Sequence, residues 1–177
     1  MGTPTYLLSA SGKDRVGFVA LIAEKLFHLG CNLEDSYMMR LETEFALFVI
    51  FSSKKEVSEK DFFSLVKKHR MAIYLKKISH RNMTTGHKNQ IFIIRAHGPD
   101  RPGIVYHLSN FLAKNKMNIV DLATHQIKSG GKYGYSVFIE VEIPNRAILK
   151  NLPSQIKKLS LRTNTRITLD PLTQANL

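Results

Sequence analysis

Apolar and polar positions change period repeatedly along this chain, and the changes outline its elements. Thr5 to Ala10 is a short, β-forming, largely apolar run that reads as a strand and ends in a Gly/Asp turn. From Val16 to Leu29 the period becomes helical, with Val19, Ile22, Leu26 and Leu29 on one stripe and Gly30 as the stop. Asn32 to Leu41 predicts a second strand, and a turn at Glu42 to Glu44 leads into a third, Phe45-Ala-Leu-Phe-Val. Val57 to His69 predicts a second helix capped by Ser58, and Ala72 to Ile78 a fourth strand. The order is β-α-β-β-α-β.

The same order then repeats. Gln90 to His97 is a strand, and Pro102 to Lys114 a helix whose proline sits where its missing N–H costs nothing. Asn118 to Ile127 is a strand, and Ser129-Gly130-Gly131-Lys132 a turn into the next. Asn145 to Leu159 predicts a helix with Asn145 as its cap, and Arg166 to Leu169 the last strand. The two halves match residue by residue at an offset of 86. Gly12, Asp14, Arg15, Gly17 and Val19 answer Gly98, Asp100, Arg101, Gly103 and Val105, and Leu26, Asn32 and Asp35 answer Leu112, Asn118 and Asp121. After a hairpin four residues longer in the second copy, Phe45-Ala-Leu-Phe-Val recurs as Tyr135-Ser-Val-Phe-Ile at an offset of 90. The chain is a duplication. Its expected fold class is α+β: two tandem ferredoxin-like units, each an antiparallel four-stranded sheet with two helices on one face. The expected domains are residues 1–80 and 89–177, joined by a polar linker at 81–88.

Composition narrows the class. Hydrophobic residues make up 44% of the 177, enough for packed cores. The longest apolar run, Phe45 to Phe51, falls well short of the roughly 20 residues of a helical membrane span. The N-terminus carries neither a signal-peptide pattern nor a myristoylation motif. The single cysteine, Cys31, excludes an internal disulfide and fits a reducing, cytoplasmic setting. Charge is the unusual feature: 26 Lys+Arg against 14 Asp+Glu give +12, a field that attracts polyanions. The lysine pairs are spread along the chain, and no helix-turn-helix, zinc-finger spacing or aromatic-studded RNA-binding strand accompanies them.

The most specific feature is the turn after the first strand of each copy. Gly98-Pro99-Asp100-Arg101-Pro102-Gly103-Ile104-Val105, with Asn118-Ile119 opening the next strand, resembles the ACT domain, a small-molecule regulatory module. The first copy keeps Gly12-Lys13-Asp14-Arg15-Val16-Gly17 and Asn32-Leu33 but has Val16 in place of the proline. Two such copies with no catalytic domain resemble the glycine cleavage system transcriptional repressor family. The resemblance implies that an amino acid is held at interfaces between ACT domains by the turn and by the residue opening strand two. In this chain those positions are Asp100, Arg101, Gly103, Ile104 and Asn118, and Asp14, Arg15, Gly17 and Asn32.

The residue types suit that ligand. A helix N-terminus offers N–H groups and partial positive charge to an α-carboxylate. Gly17 and Gly103 let backbone approach a ligand. The carboxylates of Asp14 and Asp100 can take an α-ammonium, and the amides of Asn32 and Asn118 both donate and accept. Structural roles serve equally well at this stage. The aspartates could cap their helices, Arg15 and Arg101 could pair with acids, the asparagines could shape the turn into strand two, and Asp35 and Asp121 could be solvated strand residues. His97 stands at the mouth of the second turn, and Cys31 answers Met117, which favours packing. The seven histidines form no metal-ligand spacing, and no nucleophile elbow or phosphate-binding loop occurs.

The expected function is therefore a non-enzymatic regulatory sensor, with no cofactor, metal or catalytic residue. It binds a small amino acid, glycine or serine being the candidates, and modulates a partner regulatory protein in the transcriptional control of amino-acid metabolism. A homodimer is expected, since pairing would cover exposed sheet edges. The alternative is a regulator that associates with nucleic acid directly through its basic surface.

Overall fold

The computed structural model describes residues 2–79, 90–129, 131–144 and 149–172. They form two compact units, one in each half of the chain. The first comprises β1 (Thr5–Lys13), α1 (Phe18–His28), β2 (Asn32–Leu41), β3 (Glu44–Ser52), a 3-10 turn (Glu59–Phe62) running into α2 (Phe63–His69), and β4 (Ala72–Ile78). The second comprises β5 (Gln90–Pro99), α3 (Ile104–Lys114), β6 (Asn118–Ser129), β7 (Lys132–Ile143), α4 (Leu152–Thr163) and β8 (Arg166–Pro171). Each holds a four-stranded sheet, in the orders β2-β3-β1-β4 and β6-β7-β5-β8, with every neighbouring pair antiparallel. This is the expected duplicated βαββαβ fold.

Alternation on the central strands builds each core. Tyr6, Leu8 and Ala10 of β1, with Phe45, Leu47, Val49 and Phe51 of β3, point to one face and are buried against Phe18, Ile22 and Leu26 of α1 and Phe62 and Leu65. In the second unit Ile94 and Ala96, with Val137, Ile139 and Val141, meet Ile104, Leu108 and Leu112 of α3 and Leu152, Ile156 and Leu159 of α4. The buried stripe of α1 thus begins at Phe18, whereas Val19 is 47% exposed and Val16 stands free in the turn. No helix of the described residues is long and apolar enough to cross a membrane.

Several bounds differ from the sequence reading: α1 starts at Phe18 and α3 at Ile104, behind glycine caps, so Pro102 stands before its helix rather than in it. Three further differences have a local reason. The second helix of the first unit starts as a 3-10 turn, where the Asp61 carboxylate accepts from the Ser58 N–H at 2.8 Å. The last helix of the chain begins at Leu152, with Pro153 in its first turn, because a proline inside a helix starting at residue 145 would block the hydrogen-bond ladder. Asn145, the expected cap, lies outside the described residues. The longer hairpin of the second copy is absorbed by its strands, and β6 extends beyond Ile127 to Ser129. An even insertion keeps every side chain on its own face.

The copies also end their first helices differently. Gly30, at φ 71°, answers Lys116, at φ 55°, a left-handed conformation that glycine adopts freely and lysine does not. Lys116→Gly is therefore expected to stabilise the second unit by about 0.5–1 kcal/mol, measured by urea denaturation.

Candidate functional site

Each sheet ends in a turn that delivers the chain to its first helix at the same point. In the first unit the Asp14 N–H donates to the Thr43 carbonyl at 2.7 Å, and in the second the Asp100 N–H donates to the Tyr133 carbonyl at 3.4 Å. Both turns are thereby pinned to the tip of the neighbouring hairpin. Gly17 and Gly103 then occupy the N-cap position with φ 93° and 99°. A Cβ at Gly17 would meet nothing within 4 Å, so the glycine there serves backbone conformation rather than space.

Because the caps are glycines, the aspartates do not cap these helices, and no side chain hydrogen-bonds to either N-terminus. Both carboxylates instead reach the second strand of their own unit, at positions equivalent in the duplication. Asp14 lies 3.6 Å from the Arg40 guanidinium, while Asp100 accepts from the Gln126 side-chain amide at 2.6 Å. That difference matters electrostatically. Arg40 supplies a cation to Asp14, whereas the Gln126 amide beside Asp100 is neutral and leaves that carboxylate's charge unmatched by this contact. The helix starts differ too. The Phe18 N–H turns back to the Arg15 carbonyl at 3.4 Å, and the Ile104 N–H makes no such bond among the described residues.

A cavity of about 470 Å³ opens at the second turn, lined by Asp100, Arg101, Pro102, Gly103, Ile104, Val105, Tyr106 and Tyr135. Arg101 is exposed and makes no ion pair among the described residues, as is true of Arg15. The Ile104 side chain is only 4% exposed and belongs to the core. Tyr106 and Tyr135 are lining residues that the sequence reading did not include. In the other copy, Tyr106 is answered by Ala20 and Tyr135 by the buried Phe45, a contrast visible once the copies are aligned.

The asparagines are not at the turns. Asn118 pairs with Glu142 and Asn32 with Ser52, at the opposite ends of β6 and β2 from Gln126 and Arg40. Asn118 and Gln126 are eight positions apart on the strand, roughly 25 Å at the strand rise. Within one unit, therefore, turn and asparagine do not converge. Asp35 and Asp121 sit where the β2–β3 and β6–β7 registers shift, and each carboxylate accepts the next residue's N–H, at 2.8 Å from Ser36 and 2.9 Å from Leu122. They are bulge residues with a local bond rather than merely solvated ones.

His97 is not at the cavity either; its Nδ1 shares a hydrogen bond with the Ser136 hydroxyl at 2.9 Å on the open face of the sheet. Cys31 packs against the first core. Burial pushes its thiol above the ordinary range, opposed by a hydrogen bond with Ser53 and reinforced by Asp61, which marks a packed rather than a reactive cysteine.

A family model for the ACT domain matches residues 5–73 and 90–166. No curated protein matches the chain. Among solved structures, a protein of unknown function from Galdieria sulphuraria is similar over 97% of this chain and 100% of its own, at 23% identity and a TM-score of 0.82. A structure provisionally described as a glycine cleavage system transcriptional repressor is similar over 98% and 100%, at 17% identity and a TM-score of 0.73. At these identities the two likenesses speak for the fold.

Proposed function

The chain belongs to the ACT domain family, and on that premise we propose that it is a non-enzymatic regulatory sensor for a small amino acid. The second turn carries this reading. It sets the carboxylate of Asp100 and the start of α3 around one cavity, the opposed charges that an α-ammonium and an α-carboxylate require. The ligand's carboxylate lies at the helix start with Arg101, and its ammonium lies at Asp100. Glycine and serine are the first candidates. The separation of Asn118 and Asn32 from the turns within each unit fits a site completed by a second copy of the chain, which supplies the asparagine. Such a chain works as a homodimer that relays occupancy to a partner regulatory protein. The likeness to the provisional repressor favours control of amino-acid metabolism at transcription, in the cytoplasm.

A thermal-shift screen of the purified chain against the twenty amino acids tests this. A ligand that binds only the folded state at a hundred times its Kd adds about 2.7 kcal/mol, a shift of several degrees. Glycine, serine or a close analogue should raise Tm, and a flat response across the whole set would remove the amino-acid reading.

A further inference from the structure

The two copies of the fold differ on the sheet face turned away from the helices. In the first unit, cross-strand pairing places Tyr37 opposite Phe48, Phe48 opposite Ser9, and Ser9 opposite Tyr74. Four strands thus contribute one transverse row, and its three aromatic residues are 57%, 44% and 59% exposed. Phe48 and Tyr74 stand two strand spacings apart, about 10 Å, with only a serine between them. The gap is a cavity of about 310 Å³, floored by Ser9, Ser11, Ala46 and Ala72.

The fold does not need this row. At the equivalent positions the second unit has Ala123, Phe138, Arg95 and Thr168, and the Arg95 guanidinium lies across the face to Asp170 at 2.6 Å. One aromatic remains, and arginine occupies the place of the serine. The open slot belongs to the first copy alone.

We propose that this slot takes a nucleobase of single-stranded nucleic acid, stacked between Phe48 and Tyr74, with Tyr37 as the next stacking platform. Two aromatic walls with room for one planar ring between them suit a base, because every base presents a π-face to stack. The Ser9 and Ser11 hydroxyls make no hydrogen bond among the described residues and can meet the polar edge of such a ring, which a purely apolar occupant would leave unused. Lys13 and Lys76 lie on the same face on β1 and β4, beside the slot. The acids of that face, Glu44 and Asp35, lie on β3 and β2, Glu44 across from Lys13 and Asp35 bonded to the Ser36 N–H. A net charge of +12 favours a polyanion over a second copy of the chain, which would bring the same charge. The sequence offers no aromatic-studded strand because the aromatics are distributed across strands, one on each of three. This inference does not depend on the amino-acid site.

Binding of a fluorescein-labelled homothymidine oligonucleotide of about 12 residues, followed by anisotropy at low salt, tests it. Tyr74→Ala and Phe48→Leu, each checked for folding by circular dichroism, are expected to weaken binding about tenfold. An abasic strand of the same length, with phosphates but no bases, should bind the wild type at least tenfold more weakly and be indifferent to both variants. Ser9→Arg is the sharpest arm. It adds a positive charge yet fills the slot as Arg95 does in the second unit, so the slot requires weaker binding where charge alone requires stronger. Equal affinity for the abasic strand, or tighter binding by Ser9→Arg, overturns the proposal. So does a wild-type dimer in sedimentation that Phe48→Leu dissociates without changing oligonucleotide affinity, since the face would then be an interface between copies.

Discussion

Asp100→Ala is expected to weaken amino-acid binding ten- to a hundred-fold while leaving the fold intact. The carboxylate is exposed and its one side-chain partner among the described residues is Gln126 at 2.6 Å, so its removal strands no buried group. What is lost is a charge-assisted contact to the ligand's ammonium, worth about 1.5–3 kcal/mol. Since about 1.4 kcal/mol is a factor of ten, the effect is large enough for calorimetry with the best ligand from the thermal-shift screen. Asp14→Ala provides the contrast. Asp14 lies 3.6 Å from Arg40, so its charge is already matched and a much smaller loss of affinity is expected. Unchanged affinity in Asp100→Ala would mean that the second turn is structural and that the ligand site lies elsewhere.

Gly103→Val is expected to harm both stability and binding. At φ 99° the backbone occupies a region that L-residues avoid, and a β-branched side chain most of all. The strain is about 1–3 kcal/mol, which for a domain of this size lowers Tm by about 4–8 °C per kcal/mol. Space is a minor issue, since an added Cβ would meet only the His107 ring at 3.7 Å, an ordinary contact. Gly17→Val separates the two effects. At φ 93° with nothing within 4 Å it carries the same conformational cost, but in the unit whose aspartate, Asp14, is already paired with Arg40. Denaturation of the two variants should therefore give similar losses of stability, and calorimetry should show the larger loss of affinity in Gly103→Val. Equal loss of affinity would assign ligand binding to both turns alike.

Much of this molecule was determined by the sequence alone. A change of period from two to 3.6, punctuated by glycine, needs no knowledge of the partners a segment meets, and so β2 and β4 fall at the residues their pattern predicts. The duplication follows from identities in register, and with it the shared topology. The Gly-Asp-Arg-Gly turn is local, and its conformation follows from residues adjacent in the chain. Only the tertiary structure decided how those turns are chemically equipped. Whether Asp14 meets a cation and Asp100 an amide depends on which residue of the second strand the register brings alongside. The same holds for the asparagines, which repeat faithfully in sequence yet lie a strand's length from the turns. The row of Tyr37, Phe48 and Tyr74 lies beyond periodicity altogether, because alternation states which face a residue takes and is silent about its neighbour on the next strand. That neighbour is set by hydrogen-bond register between segments distant in sequence, a property of the assembled sheet rather than of any strand within it.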